Sequence, residues 1–231
     1  MAITRASLKS PSALASWMQT NAVPNIFKSV TFADNTITAT DDDDNKVLEI
    51  KAFTERGSGY LRAYRASNSY VSFDTLDTMP YSDDTIEVIG CDNGFIINTL
   101  VGDEGTYSWK SYRLAILVTR TNNNKVAVIF TTGESDTELR QVMTHNIRHV
   151  AFGDSTTITT QTNYAAESAA QSVLTPFATN ANIGDVSYTP DAFYMPMHSA
   201  YSAGLGKFSL GSDIYITNGY WCIRDGGGET A

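Results

Sequence analysis

The chain repeats one pattern, TITATDDDDNKVLEI from Thr36 to Ile50 and LAILVTRTNNNKVAVIF from Leu114 to Phe130. In each copy an apolar, strand-like segment enters a turn rich in Asp or Asn and leaves it behind a lysine. Asp and Asn tolerate left-handed backbone and cap neighbouring amides, so turns of this composition join adjacent antiparallel strands at low cost. The pattern predicts two β-hairpins. The near-continuous apolar residues of the second copy predict the most central strands of the sheet.

Short segments separated by turn residues continue this pattern along the chain. Ser10 and Pro11 are typical of a helix N-cap and first turn, and they predict a short helix that ends near Asn21. Further strands are predicted at residues 26–33, 47–53, 70–73, 85–89, 95–100, 147–152, 156–160, 208–217 and 220–224. Residues 60–65 fit a strand or a single helical turn, and residues 179–196 predict mostly loop. Short helices are predicted at 135–143 and 163–174.

Turns at intervals near ten residues favour an antiparallel β-sandwich or barrel-like domain over a parallel α/β sheet. The predicted fold is therefore mainly β, with the short N-terminal helix and one or two short additional helices. No composition shift typical of a linker divides the chain. We expect an N-terminal arm with its short helix at 1–25, a single β-rich domain at 26–225 and a flexible tail at 226–231.

Composition narrows the class of partner. The 231 residues are 42% apolar and 18% charged, with a net charge of -9 and a pI near 4.7. This charge balance argues against binding to nucleic-acid phosphates or anionic lipids, which require a basic face, so neither nucleic acid nor membrane is an expected partner; overall composition leaves a local basic patch open. No apolar run matches a signal peptide or a membrane span, which predicts synthesis in the cytoplasm without a signal peptide. Cys91 and Cys222 are expected to be buried free thiols.

One tripeptide, Gly153-Asp154-Ser155, resembles the nucleophile block of esterases that have a strand, a Gly-Asp-Ser turn and a helix. In those enzymes the block lies near the start of the fold, and a C-terminal Asp-x-x-His supplies the base. Here the tripeptide lies late, and His198 follows Asp191 by seven residues. Because a nucleophilic serine needs its base and oxyanion hole placed together, the sequence predicts no catalytic residue.

Two groups of potential metal ligands have incomplete patterns. His145 and His149 have the i, i+4 spacing of ligands on one helix face, but no glutamate lies between them and no third ligand is near. The run from Asp41 to Asp44 offers carboxylates to a hard cation, yet it lacks the alternating spacing and central glycine of a calcium loop. A solvated hairpin tip is its expected role. Residues 57–59 and 204–207 lack the spacing of a phosphate loop. No metal or cofactor is predicted.

Three aromatic residues, Tyr107, Trp109 and Tyr112, lie around a predicted loop and strand entry. Their rings could stack on a sugar, which makes them the candidate glycan-binding residues of the chain. Burial in a core or an interface is the favoured role, because aromatic side chains dominate both kinds of burial. Trp221 is predicted to lie in the core.

Over its whole length the chain resembles the virion structural proteins of tailed bacteriophages and prophages. The likeness is carried by the acidic composition rich in Thr, Asn, Ser and Tyr, the short N-terminal helix, the hairpins and the ending TNGYWCIRD from Thr217 to Asp225. The resemblance implies a copy-repeated component of the head, neck, tail or baseplate, made in the host cytoplasm and localised in the virion particle. Its implied partners are other copies of itself and other virion proteins.

Two functions are favoured by these observations, ahead of a hydrolase that uses Ser155, which is the weakest hypothesis. The leading hypothesis is a noncatalytic, homo-oligomeric virion structural or assembly protein that acts through protein-protein contacts and is not an enzyme. The alternative is a carbohydrate-binding or host-receptor-binding appendage module. It would bind a host surface glycan through Tyr107, Trp109 and Tyr112.

Overall fold

The computed structural model describes residues 3–55, 58–65, 79–80, 86–99, 113–133, 149–152, 157–158, 174–178, 187–194, 205–218 and 221–226. Within these residues the chain forms one helix and seventeen strands. They are α1 (Pro11–Asn21), β1 (Thr4–Leu8), β2 (Ser29–Ala33), β3 (Thr36–Thr40), β4 (Lys46–Glu55), β5 (Ser58–Arg65), β6 (Met79–Pro80), β7 (Ile86–Cys91), β8 (Gly94–Thr99), β9 (Arg113–Arg120), β10 (Val126–Gly133), β11 (His149–Phe152), β12 (Thr157–Ile158), β13 (Thr175–Ala178), β14 (Tyr188–Tyr194), β15 (Gly206–Leu210), β16 (Asp213–Thr217) and β17 (Trp221–Arg224). The predicted strand at 70–73 and the predicted helices at 135–143 and 163–174 lie outside the described residues.

The strands form three open antiparallel sheets. The central sheet has seven strands in the order β1-β7-β8-β9-β10-β11-β12. The N-terminal sheet has the order β2-β3-β4-β5-β6, and the C-terminal sheet has the order β13-β14-β17-β16-β15. The mainly β, antiparallel fold with a short N-terminal helix is confirmed, in its sandwich form. The strands predicted to be most central, β9 and β10, are the fourth and fifth of the seven.

Both faces of the central sheet are buried, which explains its near-continuous apolar sequence. Along β9, Ile116 belongs to a core shared with α1 and the N-terminal sheet, whereas Leu117 belongs to a core shared with the C-terminal sheet. Val88 and Ile89 of β7 divide between the two cores in the same way. Since successive side chains of a strand point to opposite faces, the sheet is the middle layer of a three-layer sandwich. Burial of each such aliphatic side chain contributes about 1.5–3 kcal/mol to the free energy of folding, relative to leaving it exposed.

Helix α1 has the bounds that its end signals predict. Ser10 Oγ accepts a hydrogen bond from the Ala13 amide at 3.2 Å, and Pro11 occupies the first turn. The buried face of the helix includes Leu14, Met18 and Trp17, and the Trp17 ring meets the edge of Phe95 at a centroid distance of 5.6 Å. The helix therefore covers the β8 side of the central sheet.

Two features of the chain differ from the sequence-based expectation, and a third settles an alternative that the sequence leaves open. Residues 60–65, left open between strand and helical turn, lie within strand β5. The loop predicted at 179–196 is wrong for β14, where Pro190 lowers the strand signal. The pairing of β14 with β13 shifts register across that proline. The predicted strand 208–217 is two strands, β15 and β16, because Gly211 turns the chain with a φ of 64°.

Residues 4–8, expected to belong to an N-terminal arm, pair along their whole length with β7. The division of the chain at 25 and 225 stays a prediction. Among the described residues, no helix has the length and apolar character needed to span a bilayer.

Cys91 and Cys222 are buried and form no disulfide, as the sequence predicts. Burial raises the pKa of each thiol to about 12. Both side chains are therefore protonated at neutral pH.

Candidate functional site

The turns of the two repeated hairpins, residues 41–45 and 121–125, have the same backbone structure. In each turn the first amide donates to the fifth carbonyl, at 2.9 and 2.8 Å, and the fourth amide donates to the first carbonyl, at 3.1 and 2.9 Å. The fourth residue of each, Asp44 or Asn124, has left-handed backbone. This is the arrangement of a type I turn followed by a left-handed residue. The repeated sequence pattern therefore encodes a repeated structure.

The first residue of each turn supplies the side-chain acceptor that holds the turn closed. Asp41 Oδ1 accepts from the amides of Asp43 and Asn45 at 3.0 and 2.8 Å. In the second turn Thr121 Oγ1 accepts from the Lys125 amide at 3.1 Å. Asp41 and Thr121 are buried, so these hydrogen bonds are shielded from water.

The two turns bind each other through ion pairs, and we call residues 41–45 and 120–125 the turn junction. Asp42 Oδ2 accepts from Arg120 Nη1 at 2.9 Å, and Asp43 Oδ2 accepts from Lys125 Nζ at 2.9 Å. The acidic turn is thereby paired with both ends of the second turn.

Arg120 makes the most connections in the turn junction. Its side chain is 19% exposed. Besides Asp42, it donates from Nε to the Asn25 carbonyl at 3.0 Å and from Nη1 to the Asn124 carbonyl at 2.8 Å. One guanidinium therefore joins the segment before β2, the acidic turn and its own turn.

The remaining carboxylates of the acidic run are exposed but paired. Asp44 Oδ2 accepts from Lys28 Nζ at 2.6 Å, and that hydrogen bond raises the pKa of Lys28. The hydrogen bond from Lys125, together with its charge, lowers the pKa of Asp43. The side chains of Asp42, Asp43 and Asp44 are 56%, 64% and 72% exposed, as expected of a hairpin tip. Their oxygens are directed to three different cations, and the described residues contain no cluster of three or more metal-ligating side chains.

The second turn also binds the C-terminal sheet. The Asn122 amide donates to the Tyr188 carbonyl at 2.8 Å, and the Tyr188 amide donates back to Asn122 Oδ1 at 2.9 Å. Asn123 Nδ2 donates to Ser187 Oγ at 3.1 Å. The turn junction thus fixes all three sheets at one corner of the molecule.

A polar cleft of about 350 Å³ lies beside the turn junction. We call it the junction cleft. Its polar side chains include Asn25, Asp92, Asn93, Arg120, Asn124 and Asp191. A smaller hollow of about 190 Å³ lies next to it, between the two turns.

The walls of the junction cleft are held by hydrogen bonds. Asp191 Oδ1 accepts from Arg224 Nη2 at 2.6 Å and from Arg224 Nε at 3.0 Å, and this hydrogen bonding raises the pKa of Arg224. Asn93 Nδ2 donates to the Arg224 carbonyl at 3.0 Å, and Thr119 Oγ1 donates to the Asn93 carbonyl at 2.8 Å. The cleft is therefore preorganised by β9, β14, β17 and the β7-β8 turn.

Most candidate residues chosen from the sequence lie outside the described residues. These are the aromatic residues Tyr107, Trp109 and Tyr112, the tripeptide Gly153-Asp154-Ser155, and the histidines His145 and His198. His149 is the first residue of β11. Asp191, considered as a partner of His198, is paired with Arg224. Trp221 is fully buried, as predicted.

The sequence-based reasoning missed Arg120, Lys28 and Asn25. The available signal was the presence of basic residues beside both turns, but nothing local indicates that those residues bind the other turn.

Comparison with protein families, with curated proteins and with solved structures found no match to this chain. Functional inference therefore rests on the turn junction, the junction cleft and the edges of the sheets.

Proposed function

We propose that the chain is a noncatalytic structural protein of a tailed-phage or prophage virion, acting through contacts with copies of itself and with other virion proteins. The observation that carries this proposal is the open edge of the C-terminal sheet at β15. An unpaired edge strand is a template for a strand from another chain. The sequence resemblance to virion structural proteins supports the same assignment.

The edge strand β15 offers both backbone and side-chain contacts. It ends the C-terminal sheet, and no described strand pairs with its outer edge. Leu210 is 47% exposed there, and Lys207 and Ser209 are exposed as well. Leu210 and Asp213 flank a two-residue turn, so their backbone groups form a hydrogen-bonded pair. Moving away from the turn, residue pairs of β15 and β16 alternate between non-hydrogen-bonded and hydrogen-bonded. By this alternation Lys207 and Ser209 direct their backbone groups away from β16.

The edge of the N-terminal sheet provides the contrast. At β2, Gln19 Nε2 of helix α1 donates to the Val30 carbonyl at 2.9 Å. That hydrogen bond occupies a backbone acceptor of the edge strand, and the helix shields the strand from pairing with another chain. Among the described residues, helix α1 guards the edge at β2 while no strand covers the edge at β15, and this difference supports a directional contact.

The turn junction supports a structural role. Its ion pairs and hydrogen bonds join three sheets at one corner, so polar contacts hold the layers together in addition to the apolar cores between them. A rigid frame suits a component that is repeated in a particle, because small errors in subunit shape accumulate across many copies.

The test uses a proline at the edge. Ser209→Pro removes an outward amide and keeps the bonds to β16, whereas Ser209→Thr keeps the amide. Light scattering after size-exclusion chromatography is expected to show assembly of the wild type and of Ser209→Thr, and its loss in Ser209→Pro. Circular dichroism checks that each variant is folded.

Two results would overturn the proposal. The first is a wild-type chain that stays monomeric at high concentration and is missing from particles produced by the genome that carries it, as measured by mass spectrometry of purified particles. The second is assembly that is unchanged by Ser209→Pro.

A further inference from the structure

We infer that the junction cleft binds a neutral sugar unit of a glycan through hydrogen bonds from amide, carboxylate and guanidinium groups. This inference goes beyond the proposed assembly function and concerns a different surface from β15. It is also independent of Tyr107, Trp109 and Tyr112, which lie outside the described residues.

The size and construction of the cleft fit a small ligand. Its volume of about 350 Å³ falls within the range of about 300–1,000 Å³ that ligand pockets occupy. Asn25 comes from the segment before β2, Asp92 and Arg120 from the central sheet, and Asp191 from the C-terminal sheet. A ligand there would contact the segment before β2, the central sheet and the C-terminal sheet, next to the turn junction that joins the three layers.

The charges of the cleft select a neutral ligand. Arg120 is paired with Asp42, and Asp191 is paired with Arg224, so these two charges are already balanced by neighbours. The carboxylates of Asp92 and Asp191 disfavour a phosphate or carboxylate ligand, and the Arg120 guanidinium disfavours a cation. A hydroxyl group both donates and accepts, so a polyhydroxy ligand can bind both kinds of wall residue at once.

The walls retain unused hydrogen-bonding capacity. Arg120 uses Nε and Nη1 within the protein, and its Nη2 has no partner among the described residues. Both bonds to Asp191 end on Oδ1, which leaves Oδ2 as an acceptor. Asn25 contributes its backbone carbonyl to Arg120, while its side-chain amide makes no hydrogen bond within the described residues. A guanidinium donor, a carboxylate acceptor and an amide that does both are the groups that recognise sugar hydroxyls.

The experiment is a titration of the ¹⁵N-labelled full chain with neutral hexoses and N-acetylhexosamines, followed by amide chemical shifts. We expect saturable shifts at Asn25, Asp92 and Asn93 for at least one sugar. Asn25→Ala and Asp191→Asn are each expected to weaken binding by about tenfold, the effect of one or two hydrogen bonds. The matched control is Asn123→Ala, because Asn123 is exposed and lines the smaller hollow rather than the junction cleft; the affinity of this variant should equal that of the wild type.

The inference is overturned by the absence of saturable shifts with every sugar, by shifts confined to another surface, or by affinities that neither cleft variant changes. It is also overturned if inorganic phosphate or ammonium ion produces the same shifts, since the cleft would then be an ion site. The spectra of the variants report directly whether they are folded. Assembly through β15 is measured separately by light scattering, so failure of one proposal is distinguishable from failure of the other.

Discussion

Asp44 and Asn124 occupy the same left-handed position of the two repeated turns, with φ of 64° and 60°. The two turns share their backbone hydrogen bonds although their sequences have in common only an Asp/Asn character and a nearby lysine, which follows the first turn and is the fifth residue of the second. A left-handed backbone costs a non-glycine residue about 1–2 kcal/mol, and Asn and Asp tolerate it best. The position is therefore sensitive to residue type.

Asn124→Gly is expected to leave the free energy of unfolding unchanged or to raise it by up to about 1 kcal/mol, because glycine adopts this backbone without strain. Asn124→Val is expected to lower the free energy by about 1–2 kcal/mol, since a β-branched side chain is disfavoured at positive φ. Urea unfolding measures both. Equal stabilities for the glycine and valine variants would show that the turn relaxes away from left-handed backbone.

Arg120 should be the most sensitive residue of the turn junction. Arg120→Ala removes charged hydrogen bonds to two backbone carbonyls and to Asp42, and a loss of about 2–3 kcal/mol in unfolding free energy is expected. Arg120→Lys keeps the charge without the planar fork and should recover only part of that loss. Lys125→Ala, which breaks an exposed pair, is the control and should change stability little. Similar losses for Arg120→Ala and Lys125→Ala would contradict the central place of Arg120.

Acid should weaken the fold through two carboxylates whose pKa is lowered in the folded chain. For Asp43 the cause is the hydrogen bond from Lys125; for Glu49 burial raises the pKa, but hydrogen bonds from Lys46 and Lys51 outweigh it. A lowered folded pKa means stability that is present above the ordinary values of 3.8 and 4.5 and is lost as pH falls through the folded values. Unfolding free energy should therefore decline below about pH 4.

The matched measurement uses Asp43→Asn and Glu49→Gln in urea titrations from neutral to acidic pH. Each variant should be less stable than the wild type at neutral pH and should show a shallower acid decline. A wild-type decline that both variants reproduce in full would assign the acid sensitivity to other carboxylates.

Local signals explain which parts of this fold could be predicted. Helix α1 was predicted because its N-cap serine and first-turn proline lie next to each other in sequence, and the repeated hairpins were predicted because their turns are local. The turn at Asp34 and Asn35, both with positive φ, has equally local chemistry, but the strong strand patterns on either side obscure its signal. Strand β14 could not be predicted, because its pairing with β17 depends on residues about thirty positions away.

The turn junction and the junction cleft have no comparable local signal. Arg120 and Asp42 are 78 positions apart, and Asp191 and Arg224 are 33 apart. Each charged side chain taken alone is typical of a solvated surface. Only the stacking of three sheets brings them to one corner, so the site follows from the tertiary structure.

The hairpin between β7 and β8 depends on a glycine. A Cβ atom on Gly94 would clash with the Val118 carbonyl oxygen, in the backbone of the central strand β9. Because that backbone is held on both sides, Gly94→Ala should lower the free energy of unfolding by about 2–3 kcal/mol. Gly206→Ala is the matched control, since a Cβ there meets nothing within 4 Å, and it should be neutral or slightly stabilising. Equal unfolding midpoints for the two variants would show that β9 can move away from β8.

The two buried thiols give an independent readout of the same prediction. Burial raises the pKa of Cys91 and Cys222 to about 12, so both are protonated at neutral pH, and burial excludes reagents as well. A disulfide reagent such as Ellman's should label neither thiol in the folded chain and both in denaturant. Labelling then follows the population of open molecules, so Gly94→Ala should accelerate it and Gly206→Ala should not. Rapid labelling of either cysteine in the folded wild type would contradict its burial. Equal acceleration by both glycine variants would show that labelling does not report the clash at Gly94.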